Sequence, residues 1–544
     1  MKNRNANYIV GILLGILSLQ VLFFMNVSSI TADETMWIPA GYTYWKTGEF
    51  GMNPTHPPLT ALIETAPLLF LNPTLPTEEE SFKKLNIEHF GIDFLYRYNN
   101  NLDQIVFFSR IPVLILSLIL GYFVYSWARK LYGINAGLFA LFLYSFNPTV
   151  ISQSGIAITD LGVSFFVFIS AYFFWNFLSK RDLSSLVKTG ILTGCAMISK
   201  VSGIFLIPIY LIYYLTINRS RKFLYSILGI TGIAFLTMNA GYWFQFQPLS
   251  EVILNPVRYQ GLLNLLPDNE IRNFAAFVID RVPLPLTNYL KGIFIQTGPD
   301  ALRGDYAYLL GEHRNFGGFR HYYIVGFLLK EPVSLILFLI ISLIYFKKIS
   351  SNKTNEVILL VPILVWFIFF SFNHLNAGMR HVLPAYPFIF VFLSKIVNLK
   401  GERIMSILII LGIIYSGSSL AITPNHHMYF NELAGGPNNG YKYFYGFEDI
   451  GQNMKGLKKY IDENEIQEIK LAKAGYWIPF EAQYRGIEYQ KLQCEPSTGI
   501  IAIGVDKLIY AKGDPPGCYE WIKEHEPIEK IGYSIFIYNI TKAG

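Results

Sequence analysis

Eleven apolar runs, most of them close to bilayer-spanning length, constrain this chain more than any other feature: 8–30, 105–127, 134–151, 161–178, 186–199, 203–217, 223–241, 322–346, 357–372, 382–397 and 404–422. A helix needs about 20 mostly apolar residues to cross a bilayer. Composition agrees: 52% of the 544 residues are hydrophobic and only 15% charged, against roughly 25% charged in soluble domains. A soluble or disordered chain is excluded. The first run follows Lys2 and Arg4 and is too long for a signal-peptide core, so it reads as a retained helix. The two runs beside Lys200 are short and almost contiguous, which predicts a broken or re-entrant pair.

The expectation is a polytopic α-helical membrane protein of about eleven crossings with a small C-terminal α/β domain. Orientation follows from counting Lys and Arg in the short loops. With a cytoplasmic N-terminus, one face collects Arg129 and Lys130, Lys180 and Arg181, Arg219, Arg221 and Lys222, Lys347, Lys348 and Lys353, and Lys395, Lys400 and Arg403. That count predicts a multi-pass protein of the cytoplasmic membrane, with a body over 1–422, external loops 31–104 and 242–321, and an extracytoplasmic domain 423–544. In the first loop, 31–46 and 57–71 are amphipathic enough to lie in the membrane interface. In the last segment, strand-like runs at 468–472, 499–505 and 533–540 alternate with a helical pattern at 454–462. Of three cysteines, Cys494 and Cys518 are the only pair that an oxidising exterior could bridge. Spacing alone leaves them bridged or as two free thiols. No basic run is interleaved with aromatics, so a nucleic-acid partner is not expected.

Ionisable groups at membrane depth are expensive and usually serve a substrate or an ion. Asp33 and Glu34 follow the first run, and Asp160 stands without a neighbouring counter-charge in Ile-Ala-Ile-Thr-Asp. Arg380 and His381 open the tenth run, and Lys200 lies between the two short ones. Arg110 opens the second run, and His56 sits in Thr-His-Pro-Pro-Leu. Lys330 and Glu331 interrupt an apolar stretch before Pro332, where a structural ion pair at a kink and a substrate role are equally good readings. For the others the bland alternatives are a solvated acidic pair, a snorkelling Arg and an interfacial His. Under the topology above, however, these acids and cations all reach the outer membrane face. Such a gathering suits a reaction in which a hydroxyl or amine loses a proton while a phosphate departs. The glycine-rich 434–440 lacks the Lys-Ser/Thr ending of a P-loop. Neither a Gly-x-Ser-x-Gly elbow nor a His-Glu-x-x-His helix is present.

These stretches resemble the membrane glycosyltransferases that use polyprenyl-phosphate sugar donors, the superfamily of protein O-mannosyltransferases and the lipid A aminoarabinose transferase. The resemblance is carried by Thr-Ala-Asp-Glu at 31–34, His-Pro-Pro-Leu at 56–59, Arg110, Thr-Asp-Leu at 159–161, Ile-Ser-Lys-Val-Ser-Gly at 198–203 and Phe-Leu-Leu-Lys-Glu-Pro at 327–332. It continues through Gly-Met-Arg-His-Val-Leu-Pro at 378–384 and Tyr-Phe-Asn-Glu-Leu-Ala-Gly-Gly-Pro at 429–437. Where relatives have Asp-Trp-Gly-Gln, this chain reads Asp449, Ile450, Gly451, Gln452, and some relatives carry Lys in place of His56.

The resemblance implies a C-type glycosyltransferase fold with Asp33 as catalytic base and Glu34 positioning it or the acceptor. Asp160 would be a second acid near the site, Lys200, Arg380 and His381 would face the donor phosphate with His56 as a further candidate ligand, and Arg110 and Lys330 would be substrate-binding. The partners implied are a polyprenyl-phosphate sugar, a protein, lipid or glycan acceptor, and membrane lipid. No motif requires a cofactor. A divalent ion shared by Asp33, Glu34 and Asp160 stays open, because no segment has a coordination spacing. The competing classes are a transporter or flippase of lipid-linked saccharides, which predicts repeated halves, and a membrane anchor for the C-terminal domain.

Overall fold

The computed structural model describes residues 3–251, 266, 269–297, 307–373, 375–446, 448–510, 514–515 and 517–541. Parts of the segments expected at 242–321 and 423–544 lie outside these. Seven described helices are long and apolar enough to cross a membrane: Arg4–Val27, Leu102–Tyr132, Thr159–Lys180, Arg221–Gly241, Lys353–Phe372, Met379–Asn398 and Glu402–Ala421. Two bent pairs bring the number to nine: Ile134–Ser145 with Pro148–Ser154 at 65°, and Tyr322–Lys330 with Val333–Ile344 at 112°. Proline explains both breaks, since it has no N–H to continue the helical ladder and its ring clashes with the preceding turn. At the first break the Asn147 side chain caps the new helix by accepting from Val150 N at 2.9 Å.

The eleven expected crossings are therefore seven straight helices, or nine with the bent pairs, among the described residues. The difference lies at Lys200. The apolar helices on either side of it, Leu183–Met197 and Val201–Thr216, fall short of spanning length. Between them the chain is drawn against the first loop: Leu59 N donates to Ile198 O at 3.0 Å, and Thr60 Oγ1 to Ser199 O at 3.4 Å. The molecule is a multi-pass membrane protein whose innermost helices are Thr159–Lys180 and Met379–Asn398, with 78% and 89% of their apolar windows buried against protein. Glu402–Ala421, at 22%, faces lipid.

The interfacial stretches fold as Glu34–Thr47, Leu59–Thr65 and Leu68–Leu71. The C-terminal region forms a five-stranded mixed sheet in the order 490–491, 470–472, 499–504, 535–540, 529–531. The first two pairings are parallel and the last two antiparallel. Strand Gly499–Gly504 pairs with Ile535–Ile540 from Ile535 opposite Gly504 to Ile540 opposite Gly499, and helix Met454–Glu463 lies beside the sheet. Cys494 and Cys518 are disulfide-bonded, which decides between the two readings of that pair.

This region docks onto the loop after the first helix. Ala32 N donates to Ile450 O at 2.9 Å and Ser29 N to Gln452 O at 2.8 Å. Thr35 Oγ1 and the Tyr476 hydroxyl are 2.8 Å apart. Arg485 grips Asp103 through two bonds of 2.7 Å. The chain on both sides of Asp33 is thus held by the C-terminal region, through the Ser29 and Ala32 backbone before it and the Thr35 side chain after it.

Candidate active site

Helix Leu102–Tyr132 presents Arg110 to Glu34, the first residue of helix Glu34–Thr47. Arg110 donates through Nε and Nη2 to the two carboxylate oxygens, each at 2.7 Å, and both side chains are fully buried. The remaining Arg110 donors reach Ser28 Oγ at 2.6 Å and Ser29 O at 2.8 Å. Glu34 also accepts from Thr31 N, Thr31 Oγ1 and Ala157 N, each at 2.9 Å. Glu34, expected to position Asp33 or the acceptor, and Arg110, expected to bind substrate, are occupied by each other and by residues 28–31 and 157. Such a bidentate pair fixes geometry, and what it fixes here is the loop carrying Asp33.

Asp33 points the other way, into an ion pair with Arg380. Its side chain is 25% exposed, so it is open to an incoming group. Burial pushes its carboxyl up, but the Arg380 guanidinium, helped by the Lys200 charge, outweighs this and holds it below the usual carboxylate range. Asp160, in the first turn of helix Thr159–Lys180, receives a 2.6 Å bond from Lys200 Nζ. The partner that Lys200 lacks in sequence is therefore a carboxylate forty residues away. His381 follows Arg380 into the same helix, its ring 5.4 Å from that of Phe370.

His56 is no cation. Burial, then the Lys200 charge, pull its imidazole down to about 3, so the ring is neutral. It packs edge-on against Trp37 at 4.3 Å, and its Nδ1 has no hydrogen-bond partner among the described residues.

Lys330 and Glu331 part at the 112° bend rather than pairing with each other. Lys330 Nζ donates to His427 O at 2.8 Å and lies 3.5 Å from Glu448. Glu331 accepts from Asn147, Thr149 and Tyr386 at 2.6, 2.7 and 2.7 Å. Lys330 faces a cavity of about 40 Å³ whose lining includes Gln153, Arg380, His427, Tyr429 and Glu448.

The structure brings Asp33, His56, Asp160, Lys200, Arg380 and His381 to one end of the bundle, with Lys330 across the cavity from Arg380. Gln153, His427 and Glu448 were not anticipated. Neither was Glu64, a buried acid in Leu59–Thr65 whose carboxyl is raised well above its usual value by burial and by Glu34 and Asp160. The signal for Glu64 was present, since it is a lone acid in the apolar Ala-Leu-Ile-Glu-Thr. Among the described residues no three His, Cys, Asp or Glu side chains are grouped to hold a metal. Asp33, Glu34 and Asp160 instead turn to three different cations.

Residues 100–243 match the family described as dolichyl-phosphate-mannose-protein mannosyltransferase. This mannosyltransferase-like stretch, about a quarter of the chain, contains Arg110, Asp160 and Lys200. The chain is similar to the crystal structure of ArnT from Cupriavidus metallidurans bound to undecaprenyl phosphate, at 10% identity, with 97% of each chain covered and a TM-score of 0.46. It is also similar to the apo oligosaccharyltransferase of Archaeoglobus fulgidus, at 12% identity over 96% of this chain and 73% of that one, TM-score 0.48. With the S. cerevisiae protein O-mannosyltransferase Pmt1-Pmt2 complex bound to the sugar donor it shares 16% identity over 47% of this chain and 38% of that one, TM-score 0.36. No curated protein sequence matches.

Proposed function

We propose that the protein is an inverting glycosyltransferase that moves a sugar from a polyprenyl-phosphate donor to a hydroxyl or amine of a protein, lipid or glycan, at the outer face of the cytoplasmic membrane. The observation that carries this reading is Asp33: an ionised, partly exposed carboxylate, held by Arg380 beside the Asp160–Lys200 pair, on a loop between two membrane helices. The mannosyltransferase-like sequence of 100–243 supports it.

In this reading Asp33 takes the proton of the acceptor as its oxygen or nitrogen attacks the anomeric carbon opposite the phosphate. The bond from that carbon to the phosphate oxygen breaks, and configuration inverts. Phosphate leaves as a stable anion, so unlike a glycosidase the enzyme needs no acid on that side, only cations. Arg380 spends Nη1 on Asp33 and Nε on Ala377 O at 3.3 Å, which leaves Nη2 for a phosphate oxygen. Lys200 supplies the second charge. An apolar groove of about 460 Å³ lined by Met197, Ile204, Phe205, Pro208, Phe235 and Met238 begins three residues before Lys200 and would take the polyprenyl tail. The basic loop clusters support an orientation with the N-terminus in the cytoplasm and the C-terminal region outside.

The test is mass spectrometry of envelope lipids and glycoproteins from cells carrying the wild-type protein or Asp33→Asn. The expected result is a sugar increment present with the first and missing with the second. Identical profiles would overturn the reading.

A further inference from the structure

Two segments of the C-terminal region reach the loop that carries Asp33, and the reaction uses none of the groups that join them. From segment 448–452, Ile450 O accepts from Ala32 N at 2.9 Å and Gln452 O from Ser29 N at 2.8 Å. From segment 473–477, the Tyr476 hydroxyl meets Thr35 Oγ1 at 2.8 Å. One grip lies before Asp33 and the other after it. The two segments are also tied to each other at two points. The Trp477 indole lies so close to Gly451 that a Cβ there would be 3.0 Å from the ring. Lys473 Nζ stands 3.1 Å from the Asp449 carboxylate, the two side chains being 1% and 0% exposed.

Stability does not account for this ion pair. Lys473 already has a counter-charge in Asp506, whose carboxylate accepts from Lys473 Nζ at 2.7 Å, Ala474 N at 3.2 Å and Lys507 N at 2.7 Å. Asp449 is then a surplus buried charge, and neither of its oxygens receives a directed hydrogen bond among the described residues. Taking a carboxylate out of water is costly, and a cation shared with a second acid offsets that cost poorly. The attested use of such a buried charge is to fix register. The register at stake is that of 448–452 on 473–477, and with it both grips on the loop.

Resting on the reading of Asp33 as catalytic base, we infer that Asp449 is a positioning residue for the transfer: through Lys473 it locks the two segments together and so fixes where the Asp33 carboxylate meets the acceptor. Asp449 itself touches no substrate. The C-terminal region thereby belongs to the catalytic apparatus, because a base displaced by about 1 Å can lose on the order of 100-fold in rate.

The experiment uses the full chain in liposomes, wild type against Asp449→Asn. Transfer is measured with a short-chain polyprenyl-phosphate hexose and the matching pentose as donors and an extract of the cell envelope as acceptor, and amide hydrogen exchange is followed on the same preparations. Asp449→Asn is expected to lower kcat about tenfold or more while donor KM stays within about twofold. Exchange at the Ser29 and Ala32 amides should quicken by about tenfold, while strand Ile535–Ile540 and the unfolding temperature hold, since Lys473 keeps Asp506. Asp449→Ala, measured alongside, keeps the test valid if the amide variant misfolds. Unchanged exchange at 29–32, faster exchange with wild-type kcat, a loss carried by KM alone, or exchange quickened equally throughout the C-terminal sheet would each overturn the positioning role and leave the transferase intact. Transfer from neither donor by wild type would overturn the transferase reading and this role with it, even with the exchange result as expected.

Discussion

Both ends of the helix bundle bury acids against cations, but they do so differently. At the end away from the C-terminal sheet, Glu356 receives Lys395 Nζ at 2.7 Å, the Tyr132 hydroxyl at 3.2 Å and Ser351 N at 3.3 Å. The Lys395 ammonium also lies over the Phe392 ring at 3.7 Å, and Trp175 and Asn355 bond nearby at 2.9 Å. Every strong acceptor there is used. At the other end, about 33 Å along helix Leu102–Tyr132 by its rise per residue, Asp33 and Asp160 each have a single cation, and a cavity opens between Arg380 and Lys330. Burial of unlike charges therefore does not mark the site. What marks it is acids and cations with bonding capacity left over, and Glu34 with Arg110 shows that a saturated pair can sit within one residue of an unsaturated one.

Substitutions break this comparison in opposite ways. Asp33→Asn removes the base while leaving an amide of the same size that can still accept a hydrogen bond from Arg380. Transfer is expected to fall by roughly 100-fold to 10,000-fold with an unchanged unfolding midpoint, measured by donor turnover and thermal denaturation on one preparation. Arg110→Met does the reverse. It strands the buried Glu34 carboxylate at about 3–5 kcal/mol, so folded yield and unfolding temperature collapse. Glu356→Gln, at the saturated far end, should also lower the unfolding temperature yet leave turnover per folded molecule at the wild-type level. Lys200→Met tests the middle case. Losing one charge-assisted bond to phosphate is worth about 1.5–3 kcal/mol, so the donor KM should rise at least tenfold while kcat changes less.

Sequence reading located the end of the molecule where these charges meet but not their partners. Arg110 finds Glu34 at 76 positions' distance, and Asp33 finds Arg380 at 347. Such pairings depend on how helices pack, which no local pattern encodes. Strands 470–472, 499–504 and 535–540 were legible because alternation is a local property. The helix count was not, because the two apolar runs beside Lys200 fold as helices short of spanning length, drawn against the first loop by long-range contacts that no local pattern encodes. Gln153 and His427 carried no signal at all, being neutral residues whose meaning comes from the cavity they share.

The finest test separates the pH dependence of activity from that of stability. Held below the usual range by Arg380, the Asp33 carboxyl is ionised throughout pH 5.5–8, so turnover per folded molecule should be flat there. Stability should not be flat. His56, His426 and His427 sit at about 3, 4 and 3, chiefly through burial, against about 6.5 in an unfolded chain. Between those values the unfolded chain binds protons that the native one refuses, so stability is full above pH 6.5 and drains away as pH falls toward 4. Denaturation scans should move to lower temperature across that window while kcat/KM, corrected for folded fraction, stays level. A kcat/KM profile that instead titrates near 6.5 would make a histidine the group that takes the acceptor's proton, and would place Asp33 among the saturated, structural acids.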